Sequence, residues 1–380
     1  MLILSLLVRI YLMLEQYFTK ITLDEDYRPY ELGSVIQKNT QIFPDLKNIS
    51  IAILGVVSDL HTNGCSNIRK ELYKLVTHTS LETKIADLGD ITEGATPAET
   101  HLIIKSVTKE LQQKKILTIL LGTSLDQGEA LYHSFENTET SIETSLISSH
   151  LPLLEYQLLR RICTYKPNYL SNINAIAFQS HYIPPKALDT LENLNFGHLR
   201  LGTLKSDIEE SEIYLRNSEV VLFDLNAIKH CDAPATTQTQ PNGLTGEEAC
   251  QISRYAGVSD STKCFGIFEY YPENDKNHLT AKTIAQLLWY FLDGFVGRAN
   301  DAPQLHDEFV KYRCDINDNQ PPILFLKSKR TNRWWMQIEH PTNPSEDKLK
   351  LTFPCSYLDY QFSASGELPQ RYMNAIKRLQ

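Results

Sequence analysis

Eight short apolar runs, each bounded by Gly, Ser, Asn or Asp, constrain the fold of this chain more than any other feature. They fall at Ile51 to Val57, Lys84 to Leu88, Ile116 to Leu121, Ile142 to Ile147, Ala175 to Phe178, His198 to Gly202, Val220 to Leu225 and Cys264 to Phe268. Short, mostly apolar runs of this kind are expected of strands covered on both faces. Helical periodicity lies between most of them, at Ser66 to His78, Ala98 to Gln113, Leu153 to Cys163, Pro185 to Asn193 and Gly246 to Tyr255. A further helix, Thr280 to Gly297, carries Ile284, Leu287, Leu288 and Phe291 at helical spacing and should cover the last run. Strand and helix in alternation predict a parallel sheet with helices on both sides.

This pattern divides the 380 residues. Residues 49–298 form the expected α/β domain. Residues 15–48, polar with scattered aromatics and punctuated by Pro29 and Pro44, read as an arm packed on its edge. Residues 299–380 lose the alternation and form an extension. There Ile323 to Lys327 and Trp334 to Ile338 suggest a hairpin with a basic tip of Lys327, Lys329, Arg330 and Arg333, anchored by its tryptophans. Residues 1–14 are nearly all apolar apart from Arg9, yet show no basic stretch before the run and no small-residue cleavage site after it. The run is also shorter than the roughly 18 residues of a membrane span. It reads as a disposable leader or a mis-assigned start ahead of Met13. Only if it were a genuine anchor would the chain be a surface-associated adaptor.

The formal charge of -9 argues against a nucleic-acid partner, since no diffuse positive field would collect phosphates. Seven cysteines occur singly with no CxxC pair, which favours reduced thiols in a cytoplasmic setting over disulfides or a zinc site. No P-loop or dinucleotide glycine pattern and no Gly-x-Ser-x-Gly elbow is present.

The segment from Glu219 to Asp275 draws the functional reading. Two buried runs there end in Asp224-Leu225-Asn226 and in Glu269, and open α/β sheets bind ligands at the carboxyl ends of their strands.

Taken in order, Gly55-Val56, Asn63-Gly64-Cys65, Ile68-Arg69, Asp87-Leu88-Gly89-Asp90, Leu121-Gly122-Thr123-Ser124, Phe223-Asp224-Leu225-Asn226 with Ala233-Pro234, and Glu269-Tyr270-Tyr271-Pro272 with Asp275 make the chain resemble the arginase/ureohydrolase superfamily. Within it, formimidoylglutamase-like proteins are the nearest in pattern. The resemblance implies a three-layer α/β/α fold around an eight-stranded parallel sheet. It also implies hydrolysis of a guanidino or formimino group by hydroxide bridging two manganese ions, which need carboxylate and imidazole ligands.

Carried over position by position, the family's Gly-Gly-x-His-Ser pattern after the third strand falls on Gly122-Thr123-Ser124-Leu125-Asp126, so the ligand histidine is Leu125. The Asp-x-His-x-Asp pattern after the fourth strand falls on Ser148-Ser149-His150-Leu151-Pro152, which keeps His150 and replaces both carboxylates by Ser148 and Pro152. The pattern after the seventh strand keeps Asp224 and has Asn226 for the other aspartate. Asp126 stands one residue from the lost histidine as a ligand for a single ion. Glu269 matches the carboxylate that receives the cationic end of the substrate; alternatively, it pairs with an internal arginine or caps the Thr280 helix.

The expectation is a pseudoenzyme without an intact catalytic set, needing no cofactor. It would bind a protein partner through the extension or a small cationic ligand at Asp126, Asp224 and Glu269. The alternative is a manganese-dependent hydrolase of linear amidines, of formimidoylglutamase or agmatinase type. The family's trimers and hexamers leave homo-oligomerisation open.

Overall fold

The computed structural model describes residues 14–379 apart from 24–25, 58–63, 79, 81–83, 137–140, 306, 317–320 and 340–349. The leader expected at residues 1–14, except Leu14, and Asn63 lie outside the described residues.

The eight apolar runs become eight parallel strands: β1 Ile51–Val57, β2 Ile85–Thr92, β3 Leu117–Leu121, β4 Ile142–Ile147, β5 Leu170–Phe178, β6 Gly197–Arg200, β7 Ser218–Asp224 and β8 Cys264–Phe268. They lie in the order β2-β1-β3-β8-β7-β4-β5-β6. The arm adds two edge segments to β2, Phe18–Thr19 antiparallel and Gln37–Lys38 parallel. Consecutive residues of each strand face opposite sides. Val221, Phe223, Phe265 and Ile267 enter one core cluster. Val220, Leu222, Cys264 and Phe268 enter the other. Both sides being dry explains why most of these strands read as apolar runs rather than alternating ones.

Helices α1 Gly64–Leu72, α8 Gly246–Val258 and α9 Leu279–Val296 cover the first face, and α2 Pro97–Gln113, α3 Gly128–His133, α4 Leu158–Thr164 and α5 Pro185–Asn193 the second. Two short helices, α6 Leu201–Ser206 and α7 Glu210–Leu215, lead from β6 into β7. Helices α8 and α9 cross at glycine. A Cβ on Gly257 would stand 2.1 Å from the Phe291 carbonyl oxygen, and one on Gly294 2.2 Å from that of Arg254, so the backbones touch where no side chain fits.

Several boundaries differ from those predicted. Strand β2 runs past Leu88 to Thr92 because its register against β1 shifts between Ile53 and Leu54, and Gly89, at φ +91°, absorbs the bulge. The run at His198 stops as a strand at Arg200 and turns into α6. Helix α4 starts at Leu158 rather than Leu153, after Tyr156 at φ +66°.

The extension is more regular than expected. It is a four-stranded antiparallel sheet of β9 Phe309–Cys314, β10 Ile323–Ser328, β11 Trp334–Glu339 and β12 Lys350–Cys355, followed by α10 Tyr357–Ala364 and α11 Gln370–Leu379. Pro354, which reads as irregular, sits in the edge strand β12, where a missing N–H costs no ladder bond. Ile323, Phe325, Met336, Cys355, Tyr372 and Ala375 give this sheet its own core. Within the basic tip Arg330 pairs with Glu308 at 2.8 Å and Arg333 with Glu212 at 3.0 Å, and the Lys327 ammonium lies 5.7 Å from the centre of the Trp334 ring. Arg216 joins the extension to the α/β domain. Its guanidinium donates to the Trp334 carbonyl at 2.6 Å, pairs with Glu212 and stands over the Trp335 ring at 4.8 Å.

Among the described residues no helix is long and apolar enough to cross a membrane.

Candidate functional site

Four adjacent strands at the centre of the sheet, β3, β8, β7 and β4, deliver Leu125, Glu269, Asp224 and Ser148 from their carboxyl ends. One hydrogen-bond network joins these residues. Strand β7 ends in Asp224, whose side chain caps the following turn by accepting from the Asn226 backbone N–H at 2.8 Å. The same oxygen, Oδ1, accepts from Asn226 Nδ2 at 2.9 Å, while Oδ2 accepts from Ser148 Oγ at 2.7 Å. Asp224, Asn226 and Ser148 are 4%, 3% and 2% exposed, so these donors stand in for water. Burial pushes the Asp224 carboxyl up to about 6, with the nearby Glu269 adding to the rise and the Ser148 and Asn226 bonds opposing it.

The network continues outward through amides. Asn226 Oδ1 accepts from the Gln238 backbone N–H at 3.0 Å and from Thr237 Oγ1 at 3.3 Å. Gln240 Nε2 donates to Gln238 Oε1 at 2.9 Å and to Ser149 Oγ at 3.1 Å, and Gln179 Nε2 reaches Gln240 Oε1 at 3.1 Å. Both Gln179 and Gln240 are buried.

Glu269 follows β8 with φ +72°, a conformation a residue with a Cβ adopts only when its surroundings hold it there. Its Oε1 accepts from the Leu125 N–H at 2.8 Å; its Oε2 accepts from Thr237 Oγ1 at 3.4 Å and Tyr271 Oη at 3.3 Å. Of the two other roles open to it, capping the Thr280 helix, α9, falls instead to Asp275, which accepts from Thr280 N and Ala281 N, both at 2.9 Å. No arginine lies within ion-pair distance of Glu269 among the described residues.

The remaining predicted positions are also placed. Leu125 offers its backbone N–H to Glu269 while its side chain packs on the second core cluster. Asp126 does not join the network: its exposed carboxylate is taken by Arg161 at 2.8 Å, and Arg161 also holds Glu129. The His150 ring is half-buried, stacks on Tyr182 with centroids 4.8 Å apart and places Nδ1 2.9 Å from Ser149 Oγ. Burial, with His181 adding to it, lowers its pKa. Pro152 contributes only its carbonyl, which accepts from Leu159 N at 2.9 Å. Among the described residues no three His, Cys, Asp or Glu side chains are grouped to hold a metal ion.

Sequence reading missed Thr237, Gln238, Gln240 and Gln179. The polar run Thr236-Thr237-Gln238-Thr239-Gln240 was the signal available for three of them, but a loop has no period to show which side chains turn inward.

The Arginase family model matches residues 199–293. No curated protein sequence matches the chain. The fold is similar to that of a formiminoglutamase of Trypanosoma cruzi solved with Mn2+, at 18% identity and a TM-score of 0.62, covering 72% of this chain and 100% of that one. It is similar to formimidoylglutamase from Bacillus subtilis, at 15% identity and 0.61, covering 74% and 96%. It is also similar to an agmatine ureohydrolase of Thermoplasma volcanium, at 16% and 0.57, covering 71% and 96%.

Proposed function

We propose that this chain, which belongs to the arginase superfamily and has a formimidoylglutamase-like fold, works by binding rather than by two-metal hydrolysis. One observation carries the reading: both oxygens of the Asp224 carboxylate are already satisfied by the protein's own donors, Ser148 and Asn226. A pair of divalent cations needs lone pairs from several carboxylates and imidazoles. Here Ser148 and Asn226 put hydroxyl and amide protons where such ions would need electron pairs, and His150 is stacked and bonded to its own loop. The side chains therefore do not fit a manganese pair. Among the described residues at these strand ends, no other group is placed to generate hydroxide at neutral pH.

What the site can still do is present negative charge. Glu269 and Asp224 stand at the carboxyl ends of the adjacent strands β8 and β7, and a guanidinium, amidinium or ammonium group is the ligand chemistry that complements them. A partner protein offering an arginine or lysine would satisfy the same geometry.

The second reading, a manganese-dependent hydrolase of linear amidines, has the retained Glu269 on its side, since the resemblance gives that position to substrate binding. Elemental analysis of protein loaded with manganese and dialysed, followed by assays for urea, formamide and ammonia release from agmatine and N-formimino-glutamate, separates the two. Less than one manganese per chain and no turnover is expected. Two manganese ions per chain, with turnover abolished by Asp224→Ala, would overturn the binding reading.

A further inference from the structure

At the opposite, amino-terminal end of the sheet, a cavity of about 290 Å³ lies between the α/β domain and the extension. Strands β4, β5 and β6 supply one wall through Glu143, Asn172, Asn174 and Gly197, while α11 supplies the facing one through Asn374 and Arg378. Strand β4 separates Glu143 from Ser148 by about 16 Å at 3.3 Å per residue, so this cavity is distinct from the Asp224 network.

The charges around it fall into two sets. Arg371 is spent internally, bridging Asp359 at 2.7 Å and Glu210. Glu143 and Arg378 are not. The Arg378 guanidinium donates to the Asn195 carbonyl at 2.7 Å and has no carboxylate within ion-pair distance among the described residues. Glu143 Oε2 accepts from Asn172 Nδ2 at 3.1 Å and Asn174 Nδ2 at 3.4 Å, and no cation stands within ion-pair distance of it among the described residues. Burial holds the Arg378 pKa below its usual value, with Glu143 opposing that shift across the cavity. A half-buried cation and a half-buried anion thus face the same polar space without meeting. Leaving each uncompensated is costly, and a molecule carrying both complementary charges relieves both at once.

We propose that this cavity binds a small zwitterion of the free α-amino-acid class, its carboxylate on Arg378, its ammonium on Glu143, with Asn172, Asn174 and Asn374 lining the space between. The volume lies at the small end of ligand pockets, which suits a metabolite of this size and not a nucleotide. Because α11 and β4 to β6 belong to the two halves of the chain, the ligand would also fasten the extension to the α/β domain.

Thermal shift and isothermal titration calorimetry on the full chain test this, with glycine, L-alanine, L-glutamine and L-glutamate as probes and putrescine and succinate as single-sign controls. At least one amino acid should raise Tm saturably, and Arg378→Gln and Glu143→Gln should each weaken its Kd roughly tenfold or more. Asn374→Leu, which fills the rim from a half-exposed position without touching either charge, should abolish the shift and serves if either charge variant fails to fold. Asp224→Asn should leave it unchanged. The proposal falls if no amino acid shifts Tm at millimolar concentration, if putrescine or succinate acts as strongly, if the shift survives Asn374→Leu or both charge substitutions, or if Asp224→Asn removes it.

Discussion

Ser148 Oγ donates to Asp224 Oδ2 at 2.7 Å, tying the end of β4 to the end of β7 with a hydroxyl at a position where the resemblance has a carboxylate. Asp224 is kept as a buried anion by this bond and by those from Asn226. Removing the hydroxyl with Ser148→Ala should destabilise the protein by about 1.5–3 kcal/mol at pH 7.5, the usual scale for a hydrogen bond to a charged group. The loss should shrink near pH 5, where the carboxyl is largely protonated and needs its donors less. Urea denaturation at the two pH values provides the check.

Asp224 itself should leave a signature in stability against pH. Its folded pKa of about 6 lies above the unfolded value near 3.9, so the folded state binds more protons between those limits. Its contribution is therefore fully present below about pH 4 and is lost as pH rises through about 6. The difference amounts to on the order of 3 kcal/mol. Asp224→Asn keeps the shape, removes the titration and should flatten the stability profile between pH 4 and 7. Identical profiles for the two proteins would show that burial does not raise this carboxyl.

A second buried cluster holds α1 to β2. Arg69 forms a two-pronged pair with Asp87 at 2.8 and 2.9 Å and reaches Asp90 at 2.6 Å, while Tyr73 Oη also donates to Asp87. Arg69→Met alone should cost about 3–5 kcal/mol, because it strands buried carboxylate. Combining it with Asp87→Asn should recover part of that loss. A double-mutant cycle by urea denaturation measures the coupling, and simple additivity would show that the residues do not act as a unit.

Gly294→Ala raises intrinsic helix propensity by about 0.8–1 kcal/mol and yet should lower Tm. The new methyl would meet the Arg254 carbonyl and push α9 off α8, and overpacking of this kind costs about 1–3 kcal/mol. Calorimetry decides the sign.

Arg216→Ala should loosen the extension without unfolding the α/β domain. The side chain holds the Trp334 carbonyl and faces the Trp335 ring. Hydrogen exchange in Trp334–Glu339 should accelerate about tenfold or more, with β3 and β8 unaffected.

The parallel sheet was legible because both of its faces are dry. Ile51–Val57, Ile142–Ile147 and Cys264–Phe268 match their apolar runs residue for residue. Where a register shift interrupted a strand the reading failed, as at Asp87 to Thr92, which stays paired through a bulge that composition does not signal. In the extension, Pro354 and the basic tip obscured a regular sheet whose small core needs few apolar residues. At the site, Asp224, Asn226 and Glu269 were legible from their places after buried runs. The direction in which Asp126 points was not, because it is set by Arg161, thirty-five positions away. Gln238 and Gln240 were equally hidden, since their inward turn depends on contacts with Ser149 and Asn226 across the sheet.

Asn226 Nδ2 lies 2.9 Å from Asp224 Oδ1, and the identity of that one nitrogen sets the charge of the whole strand end. With oxygen there, two carboxylates would confront each other at hydrogen-bond distance, and only a shared proton or a cation could reconcile them. With an amide, the anion is answered locally and no counter-ion is demanded. A single isosteric exchange between NH2 and O therefore separates a strand end that must hold a metal ion or a shared proton from one that can stand empty and still accept a cation from a ligand.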